Sequence, residues 1–270
     1  MKTLFLLLLT FILFSCSTTR NFPEKDVCYM LFNVKTGKFE EVYNQKRCEE
    51  RFPACSTFKV ALSVMAFDSG ILKDEQNPVF KWDKVKRSIE PWNKDQTPTS
   101  WMRESVVWVS QEITPKLGAE KIQKYLDDFD YGNKDITGGL KYSWLTPAKF
   151  VNEPMQNTLK ISGYDQVKFL TKLWHGELKA SHRSQAMTKT IMAKDESPRG
   201  GVLIGKTGSG FTDENQELRI GWFVGHVERG DAEYIVAINF SDKQKQHGAT
   251  YGGREAKEMA LKLLTEKGLW

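Results

Sequence analysis

The chain has 270 residues, 40% apolar and 27% charged, enough to bury a sizeable core in one large domain or two closely packed lobes. Its formal charge of +5 comes from 39 basic and 34 acidic side chains scattered along the whole length without a Lys/Arg block, which excludes the charge pattern of a nucleic-acid binder. His175, His182, His226 and His247 show no metal-ligand spacing and there is no Cys-x-x-Cys pair, so no metal is expected.

The chain opens MKTLFLLLLTFILFSC: one lysine, an apolar run from Leu4 to Phe14, then Ser15 and Cys16. That run is short for a bilayer span and reads as an export signal over 1–16, followed by one domain over 17–270. Ser15-Cys16 after Leu13-Phe14 resembles a bacterial lipoprotein cleavage box, in which the cysteine is lipidated. A lipid anchor at Cys16 and plain cleavage a few residues later both remain open, and both predict a periplasmic protein. Next, VCYMLFNVKTGKFEEVY reads as a hairpin, with strand Val27 to Val34, a turn at 35–38 and strand Phe39 to Tyr43. Export implies an oxidising compartment, and the hairpin brings Cys28 and Cys48 near its open end, so these two are expected to pair and leave Cys55 as a thiol.

After Pro53, STFKVALSVMAFDSG carries apolar residues at helical spacing, so the quartet Ser56 to Lys59 opens a helix that ends near Gly70. The Trp- and Pro-punctuated stretch 80–102 reads as irregular surface structure with room for a short helix. Helical patterns follow in SVVWVSQEITPKLG, AEKIQKYLDDF, YDQVKFLTKLWHGEL and SQAMTKTIMA, interrupted by a Gly-, Asn- and Pro-rich loop over 131–162. VLIGKTGSGF, LRIGWFVGHVE and EYIVAINFS form a three-strand antiparallel meander split by turns such as Arg229-Gly230-Asp231, and GREAKEMALKLLTEKGL is an amphipathic last helix. Strands at both ends with helices between predict an α+β fold: an antiparallel sheet from both chain termini, packed with helices, beside a mainly helical lobe.

Four short motifs carry chemistry as a set. Ser56-x-x-Lys59 alone is expected by chance about once in a chain of this length. Yet a cation in the first turn of a helix opposes the dipole there, and a hydroxyl needs a base on its own helical face to attack a carbonyl. Lys206-Thr207-Gly208 lies in a strand-like run whose lysine and threonine suit a carboxylate, and the next N–H could polarise a carbonyl oxygen. Ser105-Val106-Val107 and Tyr131-Gly132-Asn133 read singly as a helix face and a turn.

The order of these four resembles that of the penicillin-recognising serine enzymes and, within them, the class D β-lactamases of the oxacillinase type. PACSTFKVALSVMAFDSG, FKWDK, SVVWVSQEI, FDYGN, LKIS and GKTGSGFT all look like stretches of that family at its usual separations, over nearly the whole mature chain. Class A relatives carry Ser-Asp-Asn where this chain has Ser105-Val106-Val107. The resemblance implies the penicillin-recognising fold, with the active site between sheet and helical lobe, and a β-lactam as small-molecule substrate. It implies Ser56 as the acylated nucleophile and Lys59 as a base carboxylated by CO2 to a carbamate, with no other cofactor. Ser105 becomes a proton relay, Lys206 and Thr207 hold the substrate carboxylate, and the N–H groups of Ser56 and Ser209 form the oxyanion hole. Phe58, Val107 and Trp144 are expected to wall off Lys59, and desolvation leaves an amine neutral enough to react with CO2.

Two stretches depart from the pattern. Residues 146–158 read as an insertion after Trp144, the tryptophan expected to support the carbamate. Arg254 is the candidate for an arginine that many members use on the substrate carboxylate, but its register sets it about a turn early, where an exposed helix-start role stands beside the functional one. Two other functions share the motifs: a β-lactam sensor that stays acylated, and a cell-wall D,D-peptidase.

Overall fold

The computed structural model describes residues 20–146, 157–213, 215–246 and 251–270; the export segment with Cys16, His247 and most of the expected insertion lie outside them. The N-terminal hairpin forms as expected, β1 (Lys25–Asn33) turning into β2 (Lys38–Tyr43). A short helix follows, α1 (Gln45–Glu49), capped by the side chain of Asn44. It carries Arg47, whose buried guanidinium donates to Asp26, Asn239 and Ser241, and Cys48, which is bonded to Cys28 across a Cα–Cα distance of 5.1 Å. The expected disulfide is therefore present, and Cys55 is a buried thiol. Closing a loop of this size removes unfolded-state entropy, so Cys28→Ser with Cys48→Ser is expected to cost about 3 kcal/mol. Urea unfolding of the two forms measures it.

β3 (Phe52–Pro53) leads into a 3-10 turn, Cys55–Thr57, and then α2 (Phe58–Asp68). Ten consecutive residues of α2 are buried, so it is the central helix of the lobe rather than a surface one. The irregular stretch holds a second 3-10 turn, Glu90–Trp92, and α3 (Pro98–Arg103), whose start is fixed by a capping box between Thr97 and Ser100. α4 (Val107–Leu117), α5 (Ala119–Phe129), β4 (Lys160–Ile161), α6 (Gly163–His175) and α7 (His182–Ile191) complete the lobe. The chain then enters the sheet for good with β5 (Ala193–Glu196), β6 (Val202–Phe211), β7 (Arg219–Arg229) and β8 (Ala232–Asp242), and ends in α8 (Gly252–Glu266).

The sheet order is β2-β1-β8-β7-β6-β5, antiparallel throughout, so the expected sheet from both termini is observed. Its central strands are apolar on both faces because both are covered. Val27, Tyr29, Phe223 and Phe240 face Ala256, Ala260 and Leu264 of α8, whereas Cys28, Met30, Trp222 and Val224 belong to the core shared with the helical lobe. Two features were not expected: β5 adds a sixth strand, and β3 pairs with β4 in a separate two-stranded ribbon. That ribbon ties the chain entering the Ser56 turn to the chain leaving the long loop.

Candidate active site

The turn that carries Ser56 is fastened on every side. The Trp222 indole donates to the Pro53 carbonyl (3.0 Å), the Ala54 N–H to Leu159 O (3.3 Å), and the Cys55 N–H to Trp144 O (2.8 Å). Thr57 donates its hydroxyl to Ala54 O (2.6 Å) and accepts from the buried amide of Gln166 (2.8 Å). Cys55 sits at φ +49°, a left-handed conformation that costs a non-glycine residue of order 1–3 kcal/mol and persists only where surroundings over-determine it. The α-helix thus begins two residues later than its sequence suggests: Ser56 lies in the 3-10 turn and α2 starts at Phe58.

Lys59, in the first turn of α2, is fully buried, and its Nζ lies 3.1 Å from Ser56 Oγ. Desolvation pushes its ammonium well below the usual lysine range, and the charge of Lys206 pushes it further. Both effects favour the neutral, basic form of the amine beside the hydroxyl.

Ser105 and Lys206 complete the row. Ser105 is the middle residue of the three-residue joint between α3 and α4, at φ +59°, with the next N–H, that of Val106, donating to Trp101 O (3.1 Å). This aims its hydroxyl at β6, where Lys206 Nζ donates to Ser105 Oγ (2.9 Å) and to Thr207 O (2.9 Å), with Thr207 Oγ1 at 3.4 Å. Burial pushes the Lys206 ammonium down to about 7, and the charge of Lys257 on α8 adds to the shift. Lys257 is itself bound to Asp195 of β5 (2.7 Å), and no motif in the sequence marks it.

The glycines of β6 explain why the Lys-Thr-Gly run must be thin. A Cβ on Gly208 would stand 3.2 Å from Cys55 Cβ and Thr57 Cγ2, and one on Gly210 would stand 2.5 Å from Thr146. The backbone of β6 thus packs directly against the side chains of the Ser56 turn and Thr146. Ser209 is exposed, and its hydroxyl accepts from the Gly253 N–H at the start of α8 (2.8 Å). Cys55 is a packing residue beneath this contact: burial raises its thiol to about 12, which removes it as a nucleophile.

Of the expected wall residues, Trp144 is buried with its ring 5.3 Å from that of Phe58, the neighbour of Lys59. Its Nε1 is buried and has no hydrogen-bond partner among the described residues. Val107 is half-buried and opens α4, which packs on α2. Arg254 is not part of this constellation: it is exposed on α8 and pairs with Glu258 one turn on (3.2 Å), as its register suggested. Trp101 is a core residue, its indole donating to Ser110, and Trp92 packs beside Ser105 through a bond to Glu104 O (2.9 Å).

The family model for the penicillin binding protein transpeptidase domain matches residues 27–265. The chain is 40% identical to the β-lactamase OXA-1 of Escherichia coli over 212 residues, which cover 76% of this chain and 72% of that one. It is 31% identical to the regulatory protein BlaR1 of Bacillus licheniformis over 90% of this chain, but over only 37% of that protein. Among solved structures, a class D β-lactamase from Bacillus subtilis superposes with a TM-score of 0.77 at 32% identity, covering 91% of this chain and 93% of that one. With a domain model spanning nearly all of the described fold and relatives at this identity, the chain belongs to the class D serine β-lactamases.

Proposed function

We propose that the protein hydrolyses β-lactam antibiotics through an acyl-enzyme on Ser56, and that it confers resistance on the cell that exports it. The observation that carries this reading is the 3.1 Å approach of a fully buried lysine nitrogen to Ser56 Oγ. Ser56 Oγ attacks the lactam carbonyl as its proton passes to the base at Lys59; the carbonyl oxygen collects charge facing the N–H groups of Ser56 and Ser209. The lactam C–N bond then breaks, and Ser105 Oγ delivers a proton to the leaving nitrogen. Lys206 and Thr207 bind the substrate carboxylate, Lys206 giving a charge-assisted bond from the row that also holds Ser105. A water activated at Lys59 hydrolyses the ester and frees Ser56.

The site fits a carboxylated Lys59. CO2 adds only to a neutral amine, releasing one proton, and burial favours that form of Lys59. The carbamate is an anion with two acceptor oxygens, and the unpartnered Trp144 Nε1 is a donor suited to it. When present, the carbamate supplies one stronger anionic base for both half-reactions. Export to the periplasm, with or without a lipid on Cys16, rests on the leader MKTLFLLLLTFILFSC.

The sensor reading predicts a stable acyl-enzyme; its family relative BlaR1 is matched over little more than a third of its length. Rapid-quench intact mass and turnover with a penicillin, with and without bicarbonate, separate the two. Repeated turnover that rises with bicarbonate is expected. Stoichiometric acylation without further hydrolysis would make the protein a sensor.

A further inference from the structure

A second cluster of ionisable side chains lies on the lobe-facing side of the sheet, near the β7–β8 turn. His226 pairs in register with Ile204, one alternation along β6 from Lys206. Its ring is buried and stacks on Trp174 of α6 at 4.7 Å and 18°. Glu228 and Glu233 stand directly opposite each other across β7 and β8, and the two-residue alternation puts Glu228 on the same face as His226. Two like charges facing across strands are destabilising unless something of opposite charge joins them.

The ring's hydrogen bonds sharpen the problem. Nε2 lies 2.8 Å from Glu233 Oε1, and an ionised carboxylate only accepts, so Nε2 carries the hydrogen and donates. In the neutral ring Nδ1 is then a bare lone pair. It is buried, has no hydrogen-bond partner among the described residues, and faces the Glu228 carboxylate with Oε1 at 3.4 Å. Two acceptors thus confront each other at short range. A cation between the two acceptors would relieve this, as would a proton on Nδ1; burial pushes the ring below the usual histidine range, against the hydrogen bond and charge of Glu233 and the charge of Glu228, which favour the proton.

We propose that His226 Nδ1 and the Glu228 carboxylate bind a divalent first-row transition cation of the Zn2+ type, with Glu233 holding the ring from its other nitrogen. The three groups' ligand atoms lie within 4.8 Å of one another. One imidazole and one carboxylate are ligands of the types such an ion takes, a carboxylate behind the histidine orients the ring as outer-shell partners do, and the exposed Glu228 leaves room for waters to complete the coordination. The site is separate from the Ser56 chemistry, which needs no metal step in the reading above.

The test uses untagged protein, stripped with chelator and titrated calorimetrically with ZnCl2, beside Glu228→Gln and Glu233→Gln. Wild type is expected to bind one Zn2+ at this site with a rise in Tm. Glu228→Gln is expected to abolish that event, and Glu233→Gln to weaken it about 10–100-fold. Glu228→Gln also tests the lone-pair argument without metal, because its amide can donate to Nδ1. The metal-free variant should melt above metal-free wild type. An unchanged isotherm in Glu228→Gln overturns the proposal. So does a long-range 15N–1H spectrum of metal-free protein at pH 7 in which His226 carries hydrogens on both nitrogens.

Discussion

Lys59→Ala is expected to lower kcat/KM for a penicillin by about 10²–10⁴-fold, the usual worth of a positioned general base. It should also change the kinetic pattern. The acyl-enzyme that still forms will accumulate, because its hydrolysis needs the same base as its formation, and bicarbonate will no longer stimulate turnover. Intact mass after quenching shows the trapped ester directly. A variant that turned over within tenfold of wild type would remove Lys59 from the mechanism. Folding is controlled for with Lys59→Met, which keeps the bulk of the stem and deletes the amine. The folded-state pKa of Lys59 lies below its unfolded value, so the unfolded chain binds the proton better. The lysine therefore opposes folding most at pH values below its folded pKa, and this opposition vanishes as pH rises through about 10.4. Lys59→Met should melt higher than wild type, more so at pH 6 than at pH 9, while losing as much activity as the alanine variant.

Trp144→Phe is the second large effect. The ring contact with Phe58 is kept, and only the Nε1 donor and part of the indole are lost. Because Nε1 has no hydrogen-bond partner among the described residues, its removal breaks no bond with them. A hydrogen bond to a charged group is worth about 1.5–3 kcal/mol, or roughly 10–100-fold in an equilibrium constant. The bicarbonate concentration giving half-maximal turnover is therefore expected to rise by about 10–100-fold, with the rate at saturating bicarbonate falling much less. A bicarbonate dependence identical to wild type would remove Trp144 from carbamate support.

The hairpin, α2, the meander and α8 were legible because each is long enough to show its period. β3, β4 and β5 were not: strands of two to four residues carry no period, and they form because their neighbours offer an edge. Within the site, Ser56, Lys59, Ser105 and Lys206 were found through the order of four motifs, and the structure brings them into one row. Tertiary packing imposed the rest. Nothing in a cysteine or a serine announces a positive φ, yet Cys55 and Ser105 both need one to aim the groups beside them. Lys257 acts on Lys206 from a helix more than a strand's length away in sequence, and the His226 cluster draws its second carboxylate from the opposite strand of a hairpin. Spacing along one segment cannot reveal either.

β1 lies inside the sheet but pairs with β8, Lys25 meeting Asp242 and Asn33 meeting Tyr234. The N-terminal hairpin is therefore marginal until nearly the last part of the chain has been made. Pairings so distant in sequence are closed late and slowly, because the chain entropy must be lost before the contacts reward it. The Ser56 turn waits on the same event, since it rests on β6 and on Trp222 of β7. This topology makes the nucleophile one of the last features of the fold to be assembled, after β8 has been made and has closed on β1.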